Sequence, residues 1–245
     1  MKYIFNNLKT NKTKNELILY FNEISNWKIN NNVDLNRCIF FLNSFYTLKM
    51  SEMFNEIEIG IQSGSQFGLG SFTSSVAIEQ IKAENINWIL LGHSEEFKYF
   101  NETIKSLSEK IEKAINSNLK IVLCFGNEIN FENNKLLVNF LVEQLQLVLR
   151  KINKENFKNI ILAYEPIASI GTNNAMKPDV ANEIIYLLKH NLKTILDYSF
   201  EIVYGGSVNT ENCKIFLEQE SIDGVLIGKE CLDYKKIENI IEMRK

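Results

Sequence analysis

Of the 245 residues only 2 are proline, 11 glycine, 2 histidine and 4 cysteine. Each scarcity excludes something. Cys38, Cys124, Cys213 and Cys231 are far apart and form no CxxC pair, and neither His93 nor His190 is near a cysteine in sequence. That argues against a zinc site and for reduced core thiols in a cytoplasmic protein. No apolar run approaches the roughly 18 residues of a membrane span, and the start, MKYIFNNLKTNKTKNE, lacks the long apolar core of a secretory signal. A net charge of −3 gives no reason to expect nucleic acid or a membrane surface as partner. In so poor a background, each glycine or proline kept is a candidate for a backbone requirement.

Short apolar runs alternate with longer amphipathic ones. The short runs cover 3–5, 38–42, 57–61, 86–92, 120–126, 159–165, 200–206 and 223–228. They are rich in Ile, Val, Leu and aromatics and mostly free of charge, as strands buried on both faces should be. Between them, 15–24, 103–117, 136–152 and 178–196 have helical spacing. Ile104, Leu107, Ile111 and Ile115 share one face, and Pro178 stands where a first helical turn accepts it. Eight such repeats in about the 250 residues usual for the architecture predict one closed (β/α)8 barrel over 1–245. An open doubly wound sheet would want a glycine-rich turn after its first strand, and FNNLKTNKT has no glycine.

A barrel carries its chemistry on the loops at the C-terminal ends of its strands. There the chain places Asn7 and Lys9, then Gly92-His93-Ser94-Glu95, then Glu165-Pro166, then Gly205-Gly206-Ser207, and last Gly228-Lys229. Position alone leaves Glu165 open between a surface glutamate and a desolvated base whose exit direction Pro166 fixes. His93 opens SEEFKYFN, a short helix with Ser94 near its start. A helix N-terminus beside an imidazole favours the neutral ring, which can donate to a developing oxyanion. In strand-like geometry Asn7 and Lys9 would point the same way, and the lysine would supply positive charge for an anionic substrate. YGGSV (204–208) and LIGKE (226–230) stand where phosphate-binding barrels hold the oxyanion on backbone N–H groups.

Together NLKTN (7–11), GHSEE (92–96), AYEPIASIGT (163–172), YGGSV and DGVLIGKE (223–230) resemble the triosephosphate isomerase family, in order and at its spacing, from Asn7 to about Leu232. The resemblance implies a TIM barrel that interconverts dihydroxyacetone phosphate and D-glyceraldehyde 3-phosphate through an enediolate, with no metal or organic cofactor. It makes Glu165 the base, His93 the electrophile, and Lys9 with Asn7 the cationic corner. Glu95 becomes the second acid beside the lysine, and Glu102 a buried structural partner in that helix. Gly171, Ser207, Gly228 and Lys229 become backbone donors to the phosphate, and 167–175 a lid hinged at Pro166. It also implies a homodimer through the loop 62–75, with Phe72 and Thr73 near the partner's Asn7 and Lys9.

There are departures. The family usually has Trp where Leu8 and Ala168 stand, Gly where Asn173, Lys229 and Ser74 stand, and Glu at Ser75 and Asn127. Asn tolerates a left-handed backbone better than Lys does. Two other readings stay open: a barrel isomerase for a larger phosphosugar, and a barrel kept as a binding or surface-adhesion protein.

Overall fold

The computed structural model describes residues 1–73, 75–127, 131–166 and 175–244. Its eight strands are all parallel to their neighbours and close on themselves in chain order. They are β1 (Tyr3–Asn7), β2 (Cys38–Leu42), β3 (Glu58–Ile61), β4 (Trp88–Leu91), β5 (Lys120–Asn127), β6 (Ile160–Pro166), β7 (Ile202–Tyr204) and β8 (Gly224–Ile227). The ring closes where Tyr3 to Asn6 pair with Gly224 to Ile227. Nine α-helices among the described residues surround it: α1 (Lys14–Asn31), α2 (Ser44–Met53), α3 (Ile78–Ala83), α4 (Ser94–Tyr99), α5 (Ile104–Asn116), α6 (Asn134–Leu149), α7 (Pro178–Leu196), α8 (Cys213–Leu217) and α9 (Tyr234–Glu242). None of them is long and apolar enough to cross a membrane.

The strands read as continuous apolar runs because each buries both faces. Side chains alternate along a strand, so Phe5, Phe41, Trp88, Val122, Ile161 and Val203 fill the barrel interior, while Ile4, Phe40, Ile89 and Leu162 pack outward against the helices. The interior is aromatic at one end. The ring of Phe5 lies 6.0 Å from that of Phe41 and 5.8 Å from that of Trp88. Gly60 makes room for this layer, since a Cβ there would lie 2.7 Å from the Phe41 ring and 2.8 Å from Trp88 Cβ.

All eight expected strands form, with shifts that matter at the mouth. The β7 ladder stops at Tyr204, two residues before the end of the apolar run, releasing Gly205 and Gly206 into a turn. β1 runs two residues further than its apolar core, so Asn7 is the last residue of a strand. Lys9 is not in strand geometry. Its φ is +51°, and its backbone N–H donates to Asn7 Oδ1 at 3.2 Å. The expected like-facing pair is therefore replaced by a tight turn. Pro178 occupies the first turn of α7, as expected.

Candidate active site

The C-terminal mouth of the barrel holds a cavity of about 360 Å³. Asn7, Lys9, His93, Glu95, Glu165, Ser207, Gly228 and Lys229 all line it, so strand ends remote in sequence converge on one space. Gly171, Ala168 and Asn173, with the rest of 167–174, lie outside the described residues, as does Ser74.

Glu165 is the next-to-last residue of β6 and is 3% exposed. Burial raises its carboxyl above the ordinary glutamate value. The nearby His93, the backbone N–H of Ser94 and Lys9 pull it back down, while Glu95 adds to the rise. Its Oε1 stands 3.5 Å from His93 Nε2. Gly205, freed by the early end of β7, leaves it room: a Cβ there would come within 3.0 Å of Glu165 Cγ. The buried Cys124 thiol is held well above the usual thiol range, chiefly by burial and further by the charge of the Glu165 carboxylate.

His93 follows Gly92, which turns the chain out of β4 at φ +75°. A Cβ at that glycine would meet Cys124 O at 2.7 Å. The short helix after β4 begins at Ser94, as expected. Its cap is His93, whose Nδ1 accepts the Glu95 N–H at 3.2 Å. A backbone N–H can only donate, so Nδ1 carries the lone pair and the proton of the neutral ring sits on Nε2, facing Glu165. The Glu95 carboxylate lies between Lys9 and His93, with Oε1 2.6 Å from Lys9 Nζ and Oε2 3.7 Å from His93 Nδ1.

Glu102 is buried, but not in α4 and not at the mouth. It lies between α4 and α5, with Oε2 2.6 Å from Lys110 Nζ. Leu8 is buried at 1% exposure. Asn127 accepts from the Tyr164 hydroxyl at 3.3 Å. Lys229, feared to need a left-handed backbone, is absent from the positive-φ residues; it opens a 3₁₀ turn, Lys229–Leu232. Ser207 does take positive φ, +50°.

Gln62 was missed by sequence reasoning. Its Nε2 donates to Lys9 O at 3.1 Å and to Phe41 O at 2.9 Å, which pins the turn that carries Lys9. One polar residue among the several of the loop QSGSQ (62–66) gives no local signal of that. Lys98 and Tyr99 of α4 also line the cavity and were not singled out.

The fold and this constellation define a (β/α)8 barrel whose mouth gathers a buried carboxylate, an imidazole and a lysine. The family model described as Triosephosphate isomerase matches residues 2–244. The chain is similar to the triosephosphate isomerase of Mycoplasma genitalium, 29% identical over 100% of this chain and 98% of the relative. It is also similar to those of Alkaliphilus metalliredigens, 31% identical over 92% of each, and Mycoplasmoides gallisepticum, 31% identical over 99% and 98%. The chain belongs to the triosephosphate isomerase family.

Proposed function

We propose that this chain is a triosephosphate isomerase whose residues 1–245 act as a single catalytic domain. It interconverts dihydroxyacetone phosphate and D-glyceraldehyde 3-phosphate. The observation that carries the reading is the buried carboxylate of Glu165, its proton affinity raised, 3.5 Å from the ring nitrogen that bears the proton of His93. Glu165 takes the proton from C1 of the ketone and returns it to C2. A base with a raised pKa is better matched to a weak carbon acid than an ordinary carboxylate is. The Nε2–H of His93 donates to the carbonyl oxygen as charge develops on it and shuttles the proton along the enediolate. Lys9, beside Asn7, offsets the charge of enediolate and phosphate. The N–H groups of Ser207, Gly228 and Lys229, with that of Gly171, hold the phosphate.

The same reading makes the working form a cytoplasmic homodimer. The loop 62–75 leaves Phe67, Leu69 and Phe72 at 46%, 68% and 55% exposure, with Phe67 and Phe72 stacked 4.4 Å apart. These exposed apolar side chains suit burial against a second copy.

The test is turnover of dihydroxyacetone phosphate by the wild-type chain and by Glu165→Gln. Loss of a positioned base predicts a fall of about 10²–10⁴-fold in kcat with the fold unchanged. A variant with near-normal turnover would remove Glu165 from the reaction.

A further inference from the structure

We propose that Glu96 is a positioning residue for the isomerisation: its carboxylate tethers α4, and α4 sets the contacts that hold Glu165, His93 and Lys9 in register. The proposal rests on the isomerase reading above.

α4 is six residues long and has no buried residue. A helix that short is not stable by its own hydrogen bonds, and with Phe97 38% and Tyr99 62% exposed its apolar packing is slight. Yet its first turn touches three groups at the mouth. The Ser94 N–H favours the charged form of the Glu165 carboxylate. The Glu95 N–H donates to His93 Nδ1 at 3.2 Å, and the Glu95 carboxylate holds Lys9 at 2.6 Å. Displacing α4 would disturb the base, the electrophile and the cation together.

What holds α4 from behind is Glu96. Its Oε2 accepts from Ser63 Oγ at 2.9 Å and lies 3.4 Å from Lys110 Nζ. Lys110 belongs to α5 and is bound at the same time by Glu102 at 2.6 Å. The main chain adds to this. Glu96 N–H donates to His93 O at 2.9 Å, and Glu96 O accepts from Phe100 N–H at 3.0 Å and Glu102 N–H at 3.1 Å. Glu96 thus joins α4 to α5 and to the loop after β3 from the residue next to Glu95.

The experiment compares wild type, Glu96→Ala and Glu96→Gln in the full chain, measuring kcat, KM and the pH profile of kcat/KM with dihydroxyacetone phosphate. For Glu96→Ala, kcat falls about tenfold or more while KM stays within about twofold, as expected when geometry rather than binding is lost. The groups facing Glu165 are His93, the Ser94 N–H, Lys9, Glu95 and the Cys124 thiol. A slack α4 weakens the help that His93 and the Ser94 N–H give to the charged carboxylate, so the acid limb moves to higher pH. Glu96→Gln can still accept from Ser63 but has lost its charge toward Lys110, and it falls between. A merely structural glutamate would lower Tm and leave the acid limb alone. If Glu96→Ala keeps the wild-type kcat and acid limb, the proposal is overturned. If that variant fails to fold, an unchanged kcat and profile in both Glu96→Gln and Ser63→Ala overturns it equally. A wild-type chain that does not turn over the triose phosphate would instead sink the isomerase reading.

Discussion

Lys9 Nζ sits 2.6 Å from Glu95 Oε1, so the cation of the mouth is already partnered by an acid before any substrate arrives. An incoming phosphate dianion must compete with that carboxylate. Glu95→Gln removes the competitor. Inorganic phosphate should then inhibit at roughly two- to fivefold lower concentration, matching the ~0.2–1 kcal/mol of a partly exposed ion pair. Glu95 also raises the Glu165 carboxyl. Without it the base stays ionised to lower pH, and the acid limb of kcat/KM moves down. An inhibition constant and a pH profile, measured on one preparation, check both.

Gly205→Ala tests the space reserved for the base. The added Cβ would stand 3.0 Å from Glu165 Cγ, 3.4 Å from Tyr164 O and 3.6 Å from Leu226 Cβ. Only the first contact is too close, and it is made with a side chain that can rotate. The fold should therefore survive with little change in Tm. A displaced base is a different matter, since a misplacement of about 1 Å can cost on the order of 10²-fold in rate. A kcat within a factor of about two of wild type would show that Glu165 has more freedom than its surroundings suggest.

Burial of Glu165 bears on stability as well. Its folded-state pKa is raised, so the folded chain binds that proton more tightly than the unfolded chain does. Stability from this group is fully present below the ordinary value of 4.5 and is lost as pH rises through the raised value. Glu165→Gln cannot ionise. It should melt above wild type at pH 8, with the gap closing as pH falls toward 4.5. Melting curves across that range decide it; a constant gap would mean that the charge is not the cause.

Leu69→Asp places a charge on the apolar tip of the loop 62–75, where Leu69 is 68% exposed. In a monomer the change is a surface substitution, worth about ±0.5 kcal/mol. In a dimer it buries an unpaired carboxylate, and the assembly should dissociate at micromolar concentrations. Sedimentation equilibrium distinguishes the two, and an unaltered mass for a dimeric wild type would move the interface elsewhere.

The barrel was legible because strands buried on both faces write themselves as unbroken apolar runs, as at 38–42 and 120–126. The mouth was legible where scarce residue types mark it: His93, the glycines after β7, and Glu165 before a rare proline. Local reasoning failed where long-range contacts decide the geometry. Nothing around Lys9 announces a left-handed turn held by Gln62 from another loop. Nor does the sequence announce that Gly92, at φ +75°, turns the chain so that the His93 ring caps the next helix through the Glu95 N–H. Glu102 resembled a partner within its neighbouring helix and proved to answer to Lys110, a residue of the next one.

The seam between β1 and β8 has a consequence in time. Tyr3 to Asn6 pair with Gly224 to Ile227, and Lys2 donates at 2.9 Å to the carbonyl of Gln219, 217 residues away in sequence. During synthesis the first strand waits, one edge unpaired, until the last has been made. Such an edge is a template for aggregation. The half-built mouth meanwhile has Lys9 and no Gly228 to stand beside it. A ribosome stalled anywhere before β8 therefore carries a sticky nascent chain with an open barrel, and slow translation of the middle of the message should favour aggregates.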